Sequence, residues 1–100
     1  MEIEVIQSDK TVLRIAISGK LDANSIGSHA WEFQDLVQHS KAPSVFLDFA
    51  GVTFLSSLGI MMLLSAAKEL RKANRTLRIE KPLPEVINVI HIAGLDELII

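Results

Sequence analysis

Ser56 and Ser57 are the residues best placed for chemistry. Between Phe46 and Leu64 an apolar strand gives out at Asp48-Phe49-Ala50-Gly51-Val52-Thr53. A helix then opens at Phe54-Leu55-Ser56-Ser57-Leu58-Gly59. A helix start offers unpaired N–H groups and the positive end of a dipole, so an anion is stabilised there, and a phosphoserine would be too. The other use of a serine at this place is to cap the helix, and capping is the favoured role.

Other reactive groups give little. Asp22 and Asp48 stand at strand ends near this loop, but lone carboxylates more often cap turns than transfer protons. His29, His39 and His91 lack metal-ligand spacing, and the chain has no cysteine, which rules out a thiolate site or a disulfide framework. Neither a Gly-x-Ser-x-Gly elbow nor a phosphate-binding Gly-x-x-x-x-Gly-Lys loop is present. The expectation is a protein without a catalytic site, metal or cofactor.

The elements that position the serines alternate between strand and helix. Glu2 to Gln7 and Thr11 to Ser18 read as a hairpin, with Leu13, Ile15 and Ile17 on one face and Arg14 and Ser18 on the other. From about Ser25 to Ser40, Ile26, Ala30, Phe33 and Val37 recur at helical spacing, with Asn24 or Ser25 as N-cap. Pro43 ends that helix. Ser44 to Asp48 then reads as a buried central strand through the run Val45, Phe46, Leu47. A second helix is expected from Ser57 to about Asn74, a strand at Thr76 to Glu80, and a third helix from Pro84 to near Gly94. Leu95 to Ile100 is left as a short strand or packed tail. Crossover helices imply parallel pairing and the hairpin antiparallel pairing. The predicted fold class is therefore α/β, one domain over residues 1–100, with a mixed sheet of about four strands and three to four helices mainly on one face.

The second helix has two sides. Ile60, Leu63, Ala67 and Leu70, with Leu64, form the stripe that covers the sheet. The opposite side carries Leu58, Met61, Met62 and Ser65 in its first two turns, where a simple buried helix would be polar. Either a neighbouring element covers them, or they are a docking surface to which flexible methionine is suited. Trp31 turns away from the stripe of the first helix, and is a second candidate for contact with a partner or another copy of the chain.

Composition bounds the partners. The chain has 100 residues, 49% of them hydrophobic and 22% charged, enough for one core. A formal charge of −2 argues against nucleic acid. Lys68, Arg71, Lys72, Arg75, Arg78 and Lys81 cluster near the end of the second helix, where its dipole favours cations; an acidic partner is the other use of such a cluster. No apolar stretch approaches the ~20 residues of a membrane span, and Met1-Glu2-Ile3-Glu4 lacks the pattern of a signal peptide. A soluble, cytoplasmic protein is expected.

The stretch from Asp48 to Gly59 resembles the signature of the STAS domain, the sulfate transporter and anti-sigma factor antagonist family: a strand ending Asp-Leu-Ser-Gly-Val, an aromatic residue, then Asp-Ser-Ser-Gly. Gly19-Lys20-Leu21-Asp22-Ala23 resembles the family's Gly-x-Leu-Asp turn, and Ile92-Ala93-Gly94-Leu95-Asp96 the end of its last helix. The resemblance implies a bacterial binding protein that works by partner switching. Such an antagonist occupies an anti-sigma factor, often a serine kinase of the ATP-binding type, and so frees a sigma factor for transcription. It implies that Asp22 lies close to the switch helix, where it orders the loop or meets the partner; together with the outward side of the second helix, the expected partner contacts are Asp22, Ser56, Ser57, Leu58, Met61, Met62 and Ser65. Aligned on Gly59, however, the family's phosphorylated serine is replaced by Leu58, and its aspartate by Ser56. A leucine accepts no phosphoryl group, so only Ser57 or Ser56 is left as acceptor. The alternative is a regulatory or scaffold subunit that self-associates or controls a transporter; a nucleotide-binding or phosphotransfer enzyme is a third reading.

Overall fold

A computed structural model describes residues 1–100. It places β1 (Glu2–Ser8), β2 (Val12–Leu21), α1 (Ala23–His39), β3 (Ser44–Leu55), α2 (Ser57–Lys72), β4 (Thr76–Glu80) and α3 (Pro84–Ile92), followed by a 3-10 turn at Asp96–Leu98. The four strands lie side by side in chain order, β1 antiparallel to β2 and the remaining pairs parallel. The mixed α/β sheet expected from the sequence is the one observed.

Register explains the core. Leu13 pairs with Val45 and Val45 with Leu77, while Ile15 pairs with Leu47 and Leu47 with Ile79. Two aliphatic rows therefore cross the sheet on the side that the helices cover, and all six side chains are buried. Ile26, Phe33 and Val37 of α1, Leu63 and Leu70 of α2, and Val86 and Ile90 of α3 close over them. The opposite face carries no helix. There Arg14 lies 4.8 Å from the ring centroid of Phe46, pairs with Glu80 at 2.8 Å and donates to Gln7, so one side chain links β1, β2 and β4. Phe46, expected within a fully buried strand, is half-buried on this polar face, because the pleat turns it away from Val45 and Leu47.

β3 runs well past its expected end at Asp48. Its pairing with β2 shifts between Ala16 and Ser18 and again between Gly19 and Lys20, each time adding residues on the β3 side. The bulges change the repeat of buried positions from two to three, and Phe49, Val52 and Leu55 face the core in turn. The Ala50 amide donates to Asp48 Oδ1 at 2.9 Å and closes the first bulge. A Cβ on Gly51 would lie 2.8 Å from Ser18 Cβ, so only glycine permits that approach.

Smaller differences concern helix ends. α1 begins two residues earlier than expected, and its cap is Asp22 rather than Asn24 or Ser25. α2 ends at Lys72, two residues early. α3 stops at Ile92, and Gly94 takes the left-handed conformation (φ 75°) that turns the chain into the tail. The Ile100 amide then donates to the Ile79 carbonyl at 3.1 Å, so the tail shields part of the β4 edge.

Candidate functional site

α1 and α2 follow the carboxyl ends of adjacent parallel strands, so their first turns lie side by side. The connection is direct. The Leu21 carbonyl, last in β2, accepts the Ser56 amide at 3.0 Å and the Ser56 hydroxyl at 2.7 Å. Ser56 Oγ in turn accepts the Gly59 amide at 3.2 Å, the N-cap bond of α2. Gly59 is buried against this junction, and a Cβ there would come within 2.6 Å of Leu55 Cδ1 and 3.0 Å of the Leu21 oxygen.

Asp22 caps α1 beside it. Its Oδ1 accepts the Ser25 amide at 3.1 Å, and Ser25 Oγ accepts the Asp22 amide at 3.2 Å, a reciprocal capping box. The Ser25 hydroxyl also donates to the Lys20 carbonyl. The Ser25 amide, ahead of its hydroxyl, holds the Asp22 carboxyl below its ordinary range. Asp22 thus orders the helix start as an ionised acceptor, and neither α1 nor α2 has an acidic residue inside its first turn.

The two serines differ. Ser56 is half-buried with its oxygen committed as donor and acceptor, whereas Ser57 is exposed. Asp48, expected near this loop, sits on the helix-free face of the sheet with its oxygen on the Ala50 amide. Asp22 and Asp48 therefore form no acid–base pair. The histidines also stand apart: His29 bonds the Ser25 carbonyl at 2.9 Å, His39 pairs with Asp35 at 3.1 Å and His91 with Asp96 at 2.7 Å. No three His, Asp or Glu side chains gather as a metal site.

Beyond the caps lies an open groove of ≈ 360 Å³ between α1 and α2. Its floor is Ile26, Ala30, Phe33, Met62 and Ala66, and Leu58 and Met61 stand at its rim, 39% and 63% exposed. Ser65 is exposed on the same wall, while Met62 packs partly against the core. The α1 wall, with Gln34 and Gln38, was not singled out in the sequence, although Ala30, Gln34 and Gln38 share one side at a spacing of four. Leu64, read as core, is 37% exposed, because it stands on the flank of α2 away from the groove. The basic cluster disperses. Arg75 donates to the Ala42 and Val37 carbonyls at the end of α1, at 2.7 and 3.1 Å, and Arg71 pairs loosely with Glu97 at 3.8 Å.

Residues 5–100 match the family model described as "Mlab, STAS domain". Among solved structures, the anti-sigma factor antagonist SpoIIAA in its unphosphorylated form superposes with a TM-score of 0.84 at 17% identity, over 99% of this chain and 86% of that one. An anti-sigma factor antagonist from Mycobacterium paratuberculosis gives 0.81 at 25% identity, over 96% and 80%. An anti-sigma-factor antagonist (STAS) domain protein from Planctomyces limnophilus gives 0.79 at 20%, over 95% and 84%. No curated protein matches the sequence. No helix is long and apolar enough to cross a membrane.

Proposed function

The chain belongs to the STAS domain family, and from that premise we propose that it is a non-enzymatic binding module of the anti-sigma factor antagonist kind. It occupies an anti-sigma factor in the cytoplasm of a bacterium and so releases a sigma factor. The observation that carries the reading is the pair Leu58 and Met61, apolar side chains exposed at the rim of a groove beside two capped helix starts. Exposed apolar surface next to capped helix starts, whose Ser56 hydroxyl is already committed, suits contact with protein better than it suits catalysis.

Leu58 also sets the mode of control. A phosphoryl group at this place would add a charge of about −1.5 to −2 within a partly apolar contact and weaken it. Leu58 offers no acceptor, and the Ser56 oxygen is engaged at 2.7 Å with Leu21. Ser57 is the hydroxyl left to a kinase. With Ser57 unmodified the surface stays apolar at Leu58, and occupancy follows the supply of partners.

The test is recovery of bound proteins from a native lysate of the source organism, with Leu58→Glu beside the parent. A captured kinase-like protein that Leu58→Glu fails to hold supports the reading. Equal capture by both, or none by the parent, removes it. Incubating the pair with ATP and weighing the intact chain then decides the serine: no gain in mass supports an antagonist controlled by availability, and a phosphoryl group at Ser57 replaces that with a switch shifted by one residue.

A further inference from the structure

Trp31 is the sole tryptophan of the chain and, at 76% exposure, one of its most exposed large apolar side chains. Trp31 does not itself line the α1/α2 groove, but at 100° per residue it stands on one ridge of α1 with Gly27, Gln34 and Gln38, and the last two line the groove, so the indole projects beside it rather than from the far side of the helix. One face therefore carries both a projecting indole and an apolar hollow. We propose that the free protein pairs with a second copy of itself across this face, each Trp31 seated in the other copy's groove, so that the pair hides the apolar start of α2.

The occupant follows from symmetry and charge. A two-fold interface brings the same patch against itself, which requires knob and hole on one surface. With the axis between Trp31 and the groove, α1 crosses α1, and Gly27, whose absent Cβ has nothing within 4 Å, lets the backbones approach. Among the groove's lining residues Glu69 alone is charged, and it already faces Lys72 at 3.4 Å. The groove itself therefore offers a strongly basic or acidic partner little to recognise, while Glu32 and Asp35 beside Trp31, the latter facing His39 at 3.1 Å, add like-charge repulsion at the α1–α1 crossing that added salt should relieve.

Size sets the strength. Helices of 17 and 16 residues span about 25 Å and together about 20 Å of width, a footprint of roughly 500 Å² per copy. That is below the ~800 Å² per partner of a standard stable interface, so the pair is weak and exchangeable. Leu58 and Met61 lie inside the footprint, and any protein that needs them must compete with pairing. Only this regulatory consequence rests on the docking reading given above; the pairing itself does not.

Trp31 is its own reporter. Sedimentation velocity from about 1 μM to about 1 mM, with tryptophan emission read on the same samples, is expected to show a doubling of mass accompanied by a blue shift as the indole leaves water. Trp31→Ala is expected to weaken the pair by about 30-fold or more, as for an interface hot spot, and Met61→Glu to weaken it independently, both with unchanged circular dichroism. A monomer at every concentration overturns the proposal. So does a dimer whose emission does not move, a dimer untouched by both substitutions, or a ladder of larger species. None of these results touches the docking reading, which rests on capture by the parent that Leu58→Glu loses.

Discussion

The carbonyl oxygen of Leu21 accepts two hydrogen bonds from Ser56, one from its amide at 3.0 Å and one from its hydroxyl at 2.7 Å. Because Leu21 is followed at once by Asp22, the cap of α1, this contact joins the starts of both helices across 35 residues of chain. That junction fixes the spacing of the two helix starts at one end of the groove. Its side chains can be loosened one at a time.

Ser56→Ala removes the Gly59 acceptor and a donor to Leu21 together. The expected loss is about 1–2 kcal/mol, the upper range for an N-cap. Ser57→Ala, at an exposed position one residue along, should change stability by less than about 0.5 kcal/mol. Urea denaturation of the two variants beside the parent makes the comparison; equal losses would mean that the capping bond does not hold the loop.

Gly59→Ala sets helix propensity against packing. Alanine inside a helix gains up to about 1 kcal/mol over glycine. Here the new methyl would meet buried Leu55 at 2.6 Å and the Leu21 oxygen at 3.0 Å, and the oxygen belongs to the backbone and is slow to yield. Overpacking of this kind costs about 1–3 kcal/mol, so the variant should melt below the parent in a thermal scan.

Arg75 is a clamp on the far end of α1. Its Nε and Nη1 donate to Ala42 and Val37 carbonyls, and burial lowers its pKa from the ordinary value while Nη2 is buried without a partner. Arg75→Ala leaves both carbonyls unpaired and should lower stability by about 2 kcal/mol. Arg75→Lys is expected to recover little, since an ammonium cannot reproduce the fork. Hydrogen exchange in the last turn of α1 would report the same loosening locally.

Acid should weaken the fold through Asp9 and Asp22. Asp9 accepts the Gln7 side chain and the Thr11 and Val12 amides, and Asp22 the Ser25 amide, which hold both carboxyls below the ordinary 3.8. The unfolded chain then binds more protons than the folded one below that value, so stability rises with pH there. Their contribution is complete above about pH 5 and is lost as pH falls through the folded values. Asp9→Asn and Asp22→Asn keep the turn and cap geometry and should each flatten the acid limb of the stability profile measured by urea unfolding.

Much of the fold was legible in the residues because its rules are local. Ile26, Ala30, Phe33 and Val37 announce α1 through helical spacing, Leu13, Ile15 and Ile17 announce β2 through alternation, and Pro84 and Gly94 bracket α3. The second half of β3 was not legible. Bulges replace its period of two by three, and nothing in Phe49 to Leu55 alone reveals that β2 would pair with it.

The same division runs through the site. Residue order determined that two serines would open a helix and that Leu58 and Met61 would face away from its stripe, since 3.6 residues per turn is a property of the chain. Only the folded arrangement decided that Ser56 caps while Ser57 is exposed, that Asp22 rather than Asn24 starts α1, that Leu64 leaves the core, and that Gln34 and Gln38 line a groove against α2. Each of these depends on which neighbour arrives from elsewhere in the sequence: Leu21 over Ser56, α2 alongside α1. Hydrogen-bond partners and burial are relations between distant segments, and no single segment contains them.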